Sequence, residues 1–339
     1  MNGLGLSFEQ LEQRLKEQSL SPKFAELIFK KAYRRPKFQG WSDGRFSPKL
    51  IHFLENSQWD RPRILKLLEA EDQTIKFLFG LDDGRSVESV LIPFYRKDTL
   101  CLSSQVGCAM GCRFCHTGTQ GLSRHLSPAE IIGQYLAAWD WAYDERKNGI
   151  KAPNIVFMGQ GEPLHNFENL KAAISLMTDK RGLDLAPRMM TVSTAGYLPG
   201  LERFSELGGV NLALSLHAVD EDKRSELIPL SKKWPLKVLL EQIDRLPLGR
   251  RQVIVYEVML ADGFNDTASD AKLLADLLKN RPHMVNLIPF NPYPGSPWKR
   301  PNLPKIEGFK QMLVEFGIRT TIRTTKGDDV MAACGQLKT

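Results

Sequence analysis

Apolar residues recur at two different spacings along this chain, and the change from one to the other divides it. Over residues 1–58 the spacing is helical. Ser7 is followed three residues later by Gln10, a capping-box pair, and Leu11 and Leu15 then fall on one helical face. Pro22 opens a second helix with Phe24, Leu27, Ile28 and Ala32 apolar, and Ser47-Pro48 begins a third. Over residues 59–95 a strand-like pattern takes over. Runs at 64–68, 74–79 and 86–92 read as short strands, with Asp82, Asp83 and Gly84 turning between the last two, so a small antiparallel meander is predicted.

From residue 96 to the end, short β-rich runs alternate with amphipathic stretches. Strands are predicted at 99–103, 154–158, 189–193, 210–215, 252–260, 285–289 and 319–323. Helices lie between them. The best marked starts at Ser127-Pro-Ala-Glu130, which has a cap, a proline at the first helical position and an acid three residues after the cap. Such alternation implies parallel pairing, and hence an α/β fold built as a full or partial β/α barrel. In barrels of this kind chemistry sits where strands end. The residues there are polar: Gly161 and Glu162 after the second strand, Ser193 after the third, Ser215, Leu216 and His217 after the fourth, and Asn291 after the sixth.

Composition adds a partner class. The 339 residues are 42% hydrophobic and 25% charged, with a net charge of +7, enough to bury a large core. Residues 1–50 hold ten Lys/Arg against five Asp/Glu. Lys30, Lys31, Arg34, Arg35 and Lys37 run together, and Tyr33, Phe38, Trp41 and Phe46 are interleaved with or follow them. That pattern suits an RNA-binding accessory domain, with cations for phosphates and rings for stacking; a solvated basic face would read the same way. No apolar run reaches the roughly 18 residues needed to span a bilayer, so no membrane role is expected and the cytoplasm is the expected address.

Five cysteines, an odd number with three clustered, do not form a disulfide framework. Cys108, Cys112 and Cys115 have the spacing C-x3-C-x2-C after the first barrel strand. Three thiolates can hold an iron–sulfur cubane and leave one iron open. A single zinc ion completed by His116 or His125 is the alternative. Cys101 and Cys334 are left over, and each alone would read as a small buried hydrophobe.

The signature Cys108-x3-Cys112-x-Phe114-Cys115 resembles that of the radical S-adenosylmethionine enzymes. Cys101-Leu-Ser-Ser-Gln-Val-Gly-Cys108, Gly161-Glu-Pro-Leu164, Ser215-Leu-His217, Asn286-Leu-Ile-Pro-Phe-Asn-Pro292 and Gly327-Asp-Asp-Val-Met-Ala-Ala-Cys-Gly335 resemble, in order, the RlmN/Cfr family of adenine methyltransferases. The resemblance implies a partial (β/α)6 barrel over residues 96–339, ending in a catalytic cysteine loop. It implies a [4Fe-4S] cluster on Cys108, Cys112 and Cys115, and two molecules of S-adenosyl-L-methionine per turnover. Gly161 and Glu162 would hold the methionine moiety, while Ser193, Ser215, Leu216, His217 and Asn291 would line the rest of that site. Cys334 would carry the methyl group, Cys101 would release the product through a transient disulfide, and Glu88 would accept the ring proton. Expected partners are 23S rRNA and tRNA and an electron donor such as flavodoxin or ferredoxin, with the chain a monomer. Gly161-Glu-Pro-Leu164, Asn291-Pro-Tyr-Pro-Gly295 and Lys326-Gly-Asp-Asp329 look like the branch that methylates adenine C2 rather than C8.

Overall fold

Three helices, α1 (Phe8–Glu17), α2 (Ala25–Tyr33) and α3 (Pro48–Glu55), begin a chain whose computed structural model describes residues 2–33, 38, 40–42, 44–145, 152–249, 252–281 and 284–339. The first cap is the one expected: Ser7 Oγ accepts from Gln10 N, and Ser7 N donates back to Gln10 Oε1. The aromatic residues read as stacking surfaces are not on the surface. Tyr33, Trp41 and Phe46 are buried, and Phe38 and Trp59 pack edge-on against Trp41 at 4.9 and 5.1 Å. In a domain with so few helices these rings supply the core, because each buries more apolar area than any aliphatic side chain could. Lys30 pairs with Glu26 at 2.5 Å, and Arg34, Arg35 and Lys37 lie outside the described residues.

The meander is β1 (Arg63–Glu69), β2 (Ile75–Gly80) and β3 (Ser86–Ile92), all antiparallel. It does not stop there, because β3 pairs antiparallel with β4 (Thr99–Cys101), the first barrel strand. Two short strands absent from the sequence reading follow, β5 (Gln105–Cys108) and β6 (Gly121–His125), whose hairpin brackets the cysteine loop.

Helix α4 (Pro128–Glu145) is capped as expected, with Ser127 N donating to Glu130 Oε2 at 2.8 Å. Strand and helix then alternate: β7 (Asn154–Phe157), α5 (Phe167–Thr178), β8 (Met190–Thr194), α6 (Leu198–Glu202), β9 (Asn211–Ser215), α7 (Glu221–Leu227) and α8 (Leu236–Asp244). The series closes with β10 (Ile254–Leu260), α9 (Ala268–Leu278), β11 (Val285–Pro289), α10 (Leu303–Glu315) and β12 (Thr320–Ile322). Sheet order is β1-β2-β3-β4-β7-β8-β9-β10-β11-β12, parallel from β4 onward. Six strand–helix units and a last strand make a partial barrel, open because β12 finds no partner on its outer edge in this order. The parallel strands read as nearly continuous apolar runs since helices cover one face and the barrel interior the other. One apolar core joins Leu11 and Phe29 of the N-terminal helices to Phe77, Ile131, Leu170, Leu287 and Leu313. Among the described residues no helix is long and apolar enough to cross a membrane.

Candidate active site

Registry along the parallel strands brings their C-terminal ends level. Phe157 opposes Val192, Thr194 opposes Leu214, Ser215 opposes Glu257, and Met259 opposes Ile288. A cavity of about 140 Å³ opens there, walled by Cys108, Cys112 and Cys115 on one side and by Glu162, Ser193, Ser215 and His217 on the other.

The cysteine loop is tied down by backbone. Arg113 N donates to Leu227 O at 3.0 Å, Tyr293 Oη donates to Arg113 O at 2.5 Å, and Thr117 Oγ1 donates to Leu337 O at 2.6 Å. Gly118 is required: a Cβ there would lie 2.6 Å from Cys112 O. Burial pushes all three thiols upward, Cys108 to about 12.

The donor set distinguishes a cluster from one zinc ion. His116 stacks on Tyr293 at 4.8 Å, and His125 Nδ1 meets Gln105 Nε2 at 2.9 Å, so neither histidine joins the thiols. Among the described residues no group of three or more His, Cys, Asp or Glu is set around one metal position. A cubane asks for something else, one thiolate on each of three irons and a fourth iron left for a small ligand, and three cysteines on the wall of a cavity meet that demand.

Glu162 lines the same cavity. Its carboxylate, 3% exposed, accepts from Leu164 N at 3.1 Å and Ala195 N at 2.8 Å, while Glu162 N donates to Gln105 Oε1 at 2.8 Å. Burial outweighs these bonds and raises its pKa to about 7. Gly161 stands at φ +103°, where a Cβ would come within 2.5 Å of Gln105 Cβ. His217 adopts φ +57°, a left-handed conformation that histidine tolerates better than branched residues. Its Nδ1 accepts from Met259 N at 3.1 Å, which places the neutral ring's proton on Nε2, and burial holds the pKa down at about 3. That Nε2 is buried without a partner. An unpaired N–H and a carboxylate held by two backbone amides, both on the wall of one cavity, suit a zwitterionic ligand such as an amino acid moiety.

Other expected residues are placed differently. Ser193 and Ser215 line the cavity, but Leu216 does not; its side chain is fully buried and its carbonyl accepts from Arg224 Nε. Asn291 is at the wall with its polar atoms already engaged: Nδ2 donates to Cys334 O at 3.0 Å, and Oδ1 accepts from Arg300 and Thr325. Glu88 lines neither this cavity nor the next. It is buried, with Oε1 3.1 Å from Lys76 Nζ and Oε2 accepting from Lys338 N at 2.9 Å.

Cys334 sits where the first cavity meets a second, of about 350 Å³, and lines both. Cys101, 7% exposed, lines only the second; burial, with the nearby Cys334 sulfur, pushes its thiol up to about 12. The pattern of polar residues after strands missed Arg323, the residue directly following β12. Its Nη1 donates to Cys334 Sγ at 3.0 Å and its Nη2 meets Glu257 Oε1 at 3.3 Å. The strand-end rule that finds His217 applies equally to Arg323, but the strand expected at 319–323 includes that residue, whereas β12 ends at Ile322. The loop bearing Cys334 is clamped from both sides, by Asp72, which accepts from Gly327 N, and by Gln336, which donates to Pro292 O.

Residues 102–278 match the Radical SAM superfamily. The chain is similar to the dual-specificity RNA methyltransferase RlmN of Desulfotalea psychrophila, with 39% identity covering 98% of this chain and 96% of that one. It is 42% identical to the RlmN of Geobacter sulfurreducens, over 98% and 91% of the two chains. A crystal structure of a radical SAM methyltransferase from Sphaerobacter thermophilus superimposes with a TM-score of 0.92 at 36% identity, over 100% and 99% of the chains. The chain belongs to the RlmN family. Its cofactors are accordingly a [4Fe-4S] cluster and S-adenosyl-L-methionine, and the cavity described above has the donors for both.

An ammonium group held by Glu162 would need the carboxyl ionised, so on that assignment affinity for S-adenosylmethionine should fall as pH drops through about 7. Glu162→Gln removes the charge, and about a tenfold or greater loss of affinity, much less dependent on pH, is expected. Anaerobic equilibrium binding at pH 6 and pH 8 measures both.

Proposed function

We propose that this chain is an RNA methyltransferase that places a methyl group on C2 of an adenine in 23S rRNA and tRNA by way of Cys334. The observation that carries the proposal is the position of Cys334, whose residue forms part of the wall between two cavities: one has the cofactor donors and the other contains the second spare thiol. Its relatives are named dual-specificity RNA methyltransferases, which supports an RNA substrate.

When bound, the cluster and S-adenosylmethionine supply the methyl group and the one-electron chemistry that an aromatic C–H carbon without a lone pair demands. The chain's residues do the rest. Cys108, Cys112 and Cys115 hold the cluster, Glu162 receives the ammonium, and His217 Nε2–H donates to a cofactor acceptor. Arg323 holds Cys334 Sγ at the shared wall. Cys334 accepts and presents the methyl carbon, and Cys101 releases the product. For Glu88 to take the ring proton, the tail must first free Oε2 from Lys338 N. Flavodoxin or ferredoxin as electron donor, a monomeric state and the cytoplasm as the site of action complete the reading, since the reaction consumes electrons and returns to free thiols.

C2 is favoured over C8 by the Gly161-Glu-Pro-Leu164 and Asn291-Pro-Tyr-Pro-Gly295 runs. Mass spectrometry of nucleosides from RNA incubated with the reduced holoenzyme tests the choice. 2-Methyladenosine is expected; 8-methyladenosine would overturn the position, and neither product would overturn the activity.

A further inference from the structure

The cofactor accounts for one face of Cys334 and leaves the other open. The two cavities share a wall that includes Met158, Asn291, Arg323 and Cys334, but only the second extends on to the N-terminal end of the barrel. The cofactor cavity is walled by the C-terminal ends of β7, β8 and β9, at Phe157, Thr194 and Ser215. The second cavity reaches Thr99, Asn154, Thr191 and Asn211, which lie at the starts of β4, β7, β8 and β9, and Ile92, which ends the antiparallel β3. At about 350 Å³ it is of the size that holds small organic groups.

Its outer rim is unusual. Between β3 and β4 the chain runs Pro93-Phe-Tyr-Arg-Lys-Asp98. Phe94 lines the cavity and is 51% exposed, while Tyr95 next to it is 103% exposed. Arg96 is exposed, as is Arg188 across the mouth, and Lys97 Nζ lies 3.2 Å from Met189 Sδ on the same rim. Large rings left in water beside cations at the mouth of a cavity have the chemistry that grips a single strand of nucleic acid: faces for bases, charges for phosphates. The rings buried among the N-terminal helices cannot do this, and these two can.

We propose that the RNA docks at the N-terminal end of the barrel, where one extruded base passes Phe94, Tyr95 and Arg188 into the second cavity and meets Cys334 from the side opposite the cofactor. The proposal rests on the methyltransferase reading and specifies the route of its substrate. A base enclosed this deeply must leave its stack, so the target is an unpaired or flipped adenine. The route also explains why Cys101 faces the second cavity alone. The releasing thiol is needed only once base and Cys334 are joined, and it stands in the chamber where that junction forms.

The test uses the full-length holoenzyme with a transfer RNA transcript and a 23S rRNA fragment. Phe94→Ala/Tyr95→Ala should raise KM for RNA by about tenfold or more, with kcat within about twofold. Arg188→Glu should weaken binding and lower the salt slope of log Kd by about one unit. Lys272→Glu on α9, an equal charge change on the outer surface, should leave both at parental values. Parental KM and salt slope in the rim variants would overturn the proposal, as would an equal effect from Lys272→Glu. Tyr95→Trp gives a readout that needs no turnover: its fluorescence should be quenched by RNA. If the parent makes no methyladenosine, the activity reading fails, and quenching at position 95 still decides the docking surface, with no quenching overturning it.

Discussion

Replacing Cys334 with alanine is expected to reduce RNA methylation by at least about 1,000-fold, with the fold intact. No other thiol can take over. Cys108, Cys112 and Cys115 are committed to iron in the proposed site, and Cys101 lines the second cavity alone, with its thiol pushed up to about 12 by burial. Cys334 touches both chambers and also receives the Arg323 guanidinium, at 3.0 Å. The substitution spares the loop because its anchors are elsewhere: Asn291 Nδ2 binds the carbonyl of residue 334, and Gln336 binds Pro292 O and Asp328. Nucleoside mass spectrometry and thermal melting separate loss of chemistry from loss of fold. Methylated adenine from this variant would remove Cys334 from the mechanism.

Cys101→Ala should fail in the opposite way, retaining RNA on the protein. In the proposed release step the Cys101 thiolate attacks Cys334 Sγ. The S–S bond forms, the C–S bond to the transferred carbon breaks, and its electron pair takes a proton to become the methyl group. The resulting disulfide needs two electrons from a thiol reductant before the next cycle. Without Cys101 the C–S bond has no attacking group, because Arg323 and Glu257 are paired with each other and neither is a nucleophile toward sulfur. The variant isolated from cells should therefore gain the mass of a nucleotide on the Cys334 peptide after nuclease digestion. Turnover at the parental rate, or a Cys334 peptide of unmodified mass, would show that another group releases the product. Arg323 helps here too, since its charge partly offsets the burial that opposes ionisation of Cys101.

Much of the local structure was legible before any coordinates. The Ser7/Gln10 and Ser127/Glu130 caps are realised because a cap depends on four neighbouring residues and nothing further away. Reading the residues after each parallel strand found Glu162, Ser193, Ser215 and His217, which the sheet registry then draws into one cavity. Where reading failed, partners were distant. Tyr33, Trp41 and Phe46 look the same in sequence whether they face RNA or pack on Phe29, Trp59 and Trp41 in turn. Strands β5 and β6 are too short to show a period, and a long loop separates them. Glu88 could be identified as a carboxylate on a strand, but its pairing with Lys76 and Lys338 depends on how β2 and the C-terminal tail meet β3.

By itself the sequence determined the inventory: three cysteines at a cluster's spacing, two more to spare, and an alternation of strand and helix that forces parallel pairing. These follow from short-range geometry, periods of 2 and 3.6 residues and the reach of a loop. Only the tertiary structure decided that Cys334 stands in the wall of both chambers, that Arg323 holds its sulfur, and that Cys101 faces just one of them. Those facts depend on which strand lies beside which and in what register. Residues far apart in the chain meet only once the sheet has closed around them, and no local pattern carries that information.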